Sequence, residues 1–300
     1  MQIYRRLTPL PDTSWLTVHD LTDRGFTRHG IADAVAKGRL IRLRRGRYTG
    51  ADLDPRLCEA GRLGGRLDCV SLLGLLGVFV RHPGPLHLQF EHGTTRLPPR
   101  PPGTVAHWRA CGRSSQALAT HPVSALIQAC RCQAEEDAVA SLDSAVNLGV
   151  LDEAQLNEVF AALLRRLRRL RHLVDGRSES GPETIVRLIL RSLGALVDVQ
   201  VVITGVGRVD LLVDGWLIIE CDSRAHHEGW DQQRRDRRRD LAAARLGYST
   251  IRPIAEDILY RTAAIRDVLA EILAQGQVTG RLRNSTDAVP NRRRAVSRHR

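Results

Sequence analysis

RVDLLVDGWLIIECD, residues 208–222, is the stretch whose reading decides the fold. Two apolar runs, 208–213 and 216–221, flank Asp214-Gly215, and a Gly at that place allows the positive φ of a tight hairpin turn. Both runs are apolar at nearly every position, the pattern of strands covered on both faces. Asp210, Glu220 and Asp222 are therefore costly to bury unless their charge is compensated, and a divalent cation is the candidate. Side chains repeat with period two along a strand, so Glu220 and Asp222 share a face. A two-residue loop pairs Asp210 with Ile219. A three-residue loop through Trp216, or a bulge, pairs Asp210 with Glu220, and this odd loop is the expectation.

Working outward, Ser180-Gly181-Pro182-Glu183 puts Pro at a first helical position, and Ile185, Leu188, Ile189 and Leu193 follow at helical spacing. After the acids come Arg224, His226, His227 and Glu228. Next is a helix over about 230–246 with Arg234, Arg235, Arg237, Arg238 and Arg239 set among Asp231, Asp236 and Asp240. Gly247 ends it, 249–252 reads as a short strand, and 256–273 is helical again. The order is helix, three strands, helix, strand, helix. Adjacent histidines point apart and no fourth ligand is fittingly spaced, so His226-His227-Glu228 is not expected to bind zinc.

That order resembles the PD-(D/E)XK nuclease fold, with an acid in the first helix, a lone Asp in the second strand and Glu-x-Asp in the third. More closely, Glu183, Arg208-Val-Asp210, Glu220-Cys-Asp222-Ser-Arg-Ala-His226 and Asp236-Arg-Arg-Arg-Asp240 resemble the Vsr-like endonuclease domains, over roughly residues 175–275. The resemblance implies a metal-dependent phosphodiester hydrolase. Asp210, Glu220 and the Cys221 carbonyl would hold Mg²⁺, with Mn²⁺ as the alternative. Glu183 and Asp222 would complete the acidic site, and Arg224 or His226 would steady developing charge or move a proton. Asp222 stands where the broader fold usually has Lys, and Lys37 is the chain's only lysine. The narrower group often has an acid there and a His four residues on, as here. Ser223 departs from the Gly more usual after that acid.

The N-terminal 55 residues read as a second module. His19-Asp20-Leu21-Thr22 leads a short helix, Gly25 breaks it, and Thr27 caps a second one carrying Ile31, Val35 and Leu40. Residues 40–48 then alternate apolar and basic around a Gly turn, which makes a basic β-wing. Gly38, Leu40, Arg42, Leu43, Arg45, Gly46 and Tyr48 resemble the N-terminal winged helix-turn-helix of AbiEi-type antitoxins. Such a module would set Arg28 in a major groove and Arg42, Arg44, Arg45 and Arg47 on phosphates. Residues 56–173 read as a mixed α/β middle segment, with helices at 71–79, 122–132, 137–148 and 152–173 and strands at 86–90 and 105–108. Arg165, Arg166, Arg168, Arg169 and Arg171 put charge nearly all round the last of these helices, which reads as a solvated bridge. His82, His87, His92, His107 and His121 lack ligand spacing and read as ordinary. Residues 277–300 read as a disordered basic tail.

A net charge of +12 over 300 residues points to a polyanionic partner, and 43% apolar residues supply real cores. Cysteines 58, 69, 111, 130, 132 and 221 form neither CxxC pairs nor a disulfide-like framework, which favours a reducing cytoplasm. Residues 1–11 lack a secretory h-region and no apolar run reaches membrane-spanning length. The expectation is an α+β or α/β multidomain, cytoplasmic, DNA-binding protein without a membrane partner. Its domains would be a winged helix-turn-helix (1–55), a middle domain (56–173), a Vsr-like endonuclease core of α-β-β-β-α-β order (174–276) and the tail. The alternatives are an AbiEi-type antitoxin and repressor, a homodimer with a silent nuclease fold, or an interaction protein that holds a toxin or RNA.

Overall fold

The computed structural model describes residues 14–110, 116–221 and 230–285. Among them are twelve α-helices and three small sheets in a mixed α/β protein, and no described helix is long and apolar enough to cross a membrane. The chain divides into two compact units, residues 1–141 with 148–171, and residues 142–147 with 172–300.

In the first unit, Thr17 opens α1 (Val18–Asp23) with a reciprocal cap. Its Oγ1 accepts from the Asp20 N–H at 3.0 Å while the Asp20 carboxylate accepts from the Thr17 N–H at 2.7 Å. Thr27 caps α2 (Arg28–Ala36), and β1 (Leu40–Arg44) pairs antiparallel with β2 (Arg47–Gly50). Leu21, Ile31, Ala34 and Leu40 are buried together between helices and hairpin. Next come α3 (Pro55–Leu63), β3 (Arg66–Leu67), α4 (Cys69–Leu75), β4 (His87–Phe90), β5 (Val105–Trp108), α5 (Pro122–Cys132), α6 (Glu135–Asn147), α7 (Glu153–Ala162) and α8 (Arg165–Arg168), then a 3-10 turn (Arg169–Leu173). The sheet order is β3-β4-β5, antiparallel then parallel.

Three features differ from the sequence reading. Residues 14–55 lie in one compact unit with 56–141 and 148–171 of the middle segment, while its residues 142–147 and 172–173 belong to the other unit. Leu43 of the wing and Leu118 press so closely on Gly61 of α3 that a Cβ there would meet each at 2.7 Å. The helix expected over 152–173 is broken, since Leu163 and Leu164 are extended. Three of its five arginines are engaged, while Arg165 and Arg166 are exposed. Arg168 donates to the carbonyls of Ala161 and Leu163, each at 3.0 Å, closing the end of α7, and Arg169 and Arg171 pair with Glu135 and Glu153. The helix expected at 71–79 begins and ends earlier, at Cys69–Leu75.

The second unit takes residues 142–147 of α6 and the chain from 172 on, beginning with α9 (Gly181–Ser192), which is capped by Ser180 and buried along nearly its whole length. Strands β6 (Val197–Ile203), β7 (Gly207–Val213) and β8 (Leu217–Ile219) follow, then α10 (Trp230–Arg245), β9 (Ser249–Ile251), α11 (Ala255–Tyr260) and α12 (Thr262–Ser285). The sheet order is β6-β7-β8-β9, with β8 and β9 parallel. Because α12 runs to Ser285, the first residues of the expected tail continue a helix. The rest of that tail lies outside the described residues. Ile203, Val206, Val209, Leu212 and Ile218 form one apolar layer with Ala243 of α10. Full burial of each large aliphatic side chain contributes about 1.5–3 kcal/mol.

Candidate functional site

The loop from β7 to β8 has three residues, with Leu211 opposite Ile219 and Val213 opposite Leu217. Asp214 and Gly215 both take left-handed φ, 47° and 71°, and the Trp216 N–H bonds back to the Val213 carbonyl at 3.1 Å. Continuing that register sets Asp210 opposite Glu220. On the other side the β6-β7 register, unchanged from Val199↔Leu211 to Val201↔Val209, sets Asp210 opposite Gln200, which adopts a φ of 54°.

Asp210 is the centre of the cluster. Its Oδ2 accepts from the Cys221 N–H at 2.9 Å and its Oδ1 from the Gln200 amide at 3.3 Å. The same amide donates at 3.1 Å to Glu183, which enters from the first turn of α9 and also accepts from the Glu179 N–H at 2.9 Å. Gln200 thus bridges two acids, and its own Oε1 is buried without a hydrogen-bond partner among the described residues. Glu220 is occupied differently. Arg239 of α10 takes Oε1 at 2.7 Å, and Arg252, just past β9, takes Oε2 at 2.6 Å. Among the described residues, no three carboxylates bring all their donor atoms within 4.8 Å of one another.

Burial raises the carboxyls of Glu183, Asp210 and Glu220 above their ordinary values, and the mutual repulsion of Glu183 and Asp210 adds to the shift on Glu183. Glu220 stays raised despite two arginines because desolvation outweighs them. Burial also lifts the Cys221 thiol well above its normal range, with the charges of Asp210, Glu183 and Glu220 adding to it, so this cysteine is an inert neighbour of all three acids. Asp222, Arg224 and His226, expected here from sequence, lie outside the described residues.

A carboxyl raised in the folded state binds protons that the unfolded chain has already released. Its contribution to stability is therefore full below its ordinary value and is lost as pH rises through the raised one. Glu183→Gln keeps an acceptor for the Glu179 and Gln200 donors while removing the charge. It should raise the melting temperature by a few degrees at pH 8 in EDTA, with the gain vanishing by pH 4. An equal change at both values would place the Glu183 charge in water.

In the first unit, Arg28 is exposed at the start of α2, and Arg42 and Arg45 are exposed on the wing. The other two wing arginines are not. A bulge between Arg42 and Arg44 shifts the strand's alternation, and Arg44 folds back to the Arg96 carbonyl at 3.4 Å. Arg47 lies over the Trp15 ring at 4.4 Å, and burial, with Arg44 nearby, lowers its guanidinium from the ordinary value. If the wing meets nucleic acid, replacing Arg42 and Arg45 together by Ala should weaken binding to every sequence and flatten the salt dependence by up to about two units. Arg44→Ala and Arg47→Ala should lower thermal stability and leave that slope nearly unchanged.

In sequence, His87 and His107 lack ligand spacing and the cysteines form no CxxC pair. The fold corrects this. Cys69, His87, His107 and Cys132 converge, with one donor atom from each lying within 4.8 Å of all the others. Gln200 is a further residue with no signal in the sequence.

No protein-family model matches the chain, and a comparison with curated proteins finds no similar one, so the functional reading rests on these residues and their geometry.

Proposed function

We propose that the chain is a DNA-binding protein whose C-terminal unit is a metal-dependent endonuclease of the PD-(D/E)XK, Vsr-like type, with a winged helix-turn-helix at its N-terminus. The observation that carries this reading is Asp210, held between Gln200 and the Cys221 N–H and facing Glu183, in a pocket dry enough to raise its carboxyl.

The donor set suits a hard cation. Glu183 and Asp210 offer carboxylate oxygens, the hard donors such a cation takes. Mg²⁺ or Mn²⁺, when bound, supplies Lewis acidity toward a phosphodiester and lowers the pKa of a water. The chain's own residues position and neutralise. Gln200 fixes the two acids relative to each other. Arg239 and Arg252 set two guanidinium groups beside Glu220, where a phosphate's charge is met by cations. Asp222, Arg224 and His226 follow directly in the chain and are assigned the acid, charge-steadying and proton-transfer roles that the resemblance implies.

One observation favours a second reading, an AbiEi-type transcriptional regulator with a silent nuclease fold. Both oxygens of Glu220 are already engaged by arginine, as in a purely structural ion-pair network. Supercoiled plasmid separates the two. The endonuclease converts it to open circle in Mg²⁺ or Mn²⁺ and stops in EDTA. Full-chain protein that binds DNA yet leaves plasmid intact across both metals overturns the nuclease reading in favour of the regulator.

A further inference from the structure

We propose that Cys69, His87, His107 and Cys132 form a structural zinc site in the first unit. Each ligand comes from a different element. Cys69 is the first residue of α4, His87 the first of β4, His107 lies on the neighbouring parallel strand β5, and Cys132 is the last of α5. In the β4-β5 register His87 pairs with Val105 and Gln89 with His107, so the two histidines differ by two residues along the ladder and share a face of the sheet.

Two of the donor spacings are close to the edges of a tetrahedron around one small cation, and all four donors lie within 4.8 Å of one another. His87 Nδ1 and His107 Nε2 are 3.2 Å apart, and Cys132 Sγ is 3.9 Å from His107 Nε2. Zinc bonds of about 2.0–2.1 Å to nitrogen and 2.3 Å to sulfur place ligand atoms roughly 3.3–3.8 Å from one another. Two thiolates and two neutral imidazoles are soft to borderline donors, and two thiolate charges balance a divalent ion. That selects zinc over the hard cations suited to the carboxylate cluster. Four protein ligands leave no coordination position for water, which makes the site structural rather than catalytic.

The surroundings hold these ligands in place. The Gln128 amide donates to the Cys132 sulfur at 3.2 Å, and the His87 backbone N–H donates to Ser71 Oγ at 2.9 Å. Asp68, fully buried, accepts from Arg109 and from Thr120, each at 2.7 Å, and its N–H bonds to the His87 carbonyl at 3.1 Å. This network anchors the residue before Cys69, which itself adopts a left-handed φ of 51°. Cys69 and His87 are buried while Cys132 is exposed, so the ion has a way in and the outermost ligand can be changed with little cost to packing.

The test uses the full chain purified from zinc-supplemented medium. Metal analysis should find about one zinc per chain, and cobalt exchanged into the site should give the intense d–d bands and thiolate charge transfer of tetrahedral coordination. Cys132→Ser should lower zinc affinity more than ~100-fold, whereas His82→Ala, an exposed histidine outside the cluster, should leave it unchanged. Chelation should lower the melting temperature of wild type and have no effect on Cys132→Ser. Cobalt that stays octahedral in folded wild-type protein, full zinc content in folded Cys132→Ser, or a Cys69–Cys132 disulfide in protein that takes up no zinc would each overturn the site.

Discussion

Asp210→Ala should reduce plasmid nicking at least about 100-fold in Mg²⁺, more than the 10–100-fold typical of losing a group that only supports a ligand. The carboxylate touches Gln200, the Cys221 N–H and, through Gln200, Glu183, so its loss removes a candidate cation ligand and releases the bridge that sets the other. DNA binding should hold or strengthen slightly, because a buried acid that repels phosphate is gone. Gln200→Leu, which removes the bridge while keeping both acids, should fall between Asp210→Ala and wild type. Its defect should lessen at high Mg²⁺ concentration if Gln200 acts through cation affinity. Equal nicking by wild type and Asp210→Ala would assign the cleavage to a contaminant.

What sequence showed and what it hid follow from the range of the physics. The hairpin register was legible because Asp214-Gly215 marks the turn and period-two alternation leaves few ways to close it. The starts of α2 and α9 were legible because Thr27 and Ser180-Gly181-Pro182 satisfy the first free amides locally. Gln200 was not, since one polar residue in Val197–Ile203 gives no sign of a left-handed φ or of two acids beside it. The Cys and His cluster was hidden for a related reason. Its ligands come from four elements spread over residues 69–132, so only tertiary packing creates the spacing that short zinc motifs carry in sequence. On the wing, alternation predicted four outward arginines, and a single bulge turned Arg44 back.

The second large effect concerns a pair that no local pattern announces. Asp143 and Arg187, 44 residues apart, meet at 2.6 Å with Arg187 fully buried and Asp143 nearly so. Thr184 Oγ1 donates to Asp143 at 2.7 Å, the Asp175 N–H donates at 2.7 Å, and Arg187 also donates to the Leu173 carbonyl at 2.8 Å. Burial pushes the Asp143 carboxyl up to about 6 even with Arg187 against it. Asp143→Ala therefore strands a buried guanidinium and two donors, and should cost about 3–5 kcal/mol. The double change Asp143→Leu with Arg187→Met removes both charges and should be less destabilised than Asp143→Ala alone, a positive coupling in a thermodynamic cycle. Urea unfolding read by hydrogen exchange of the α9 amides follows this unit directly. Arg187 lies one turn beyond Glu183 on α9, so the pair also fixes the helix that delivers Glu183 to Asp210. If Asp143→Ala costs less than about 1 kcal/mol, water reaches Arg187 and the pair is not what anchors α9.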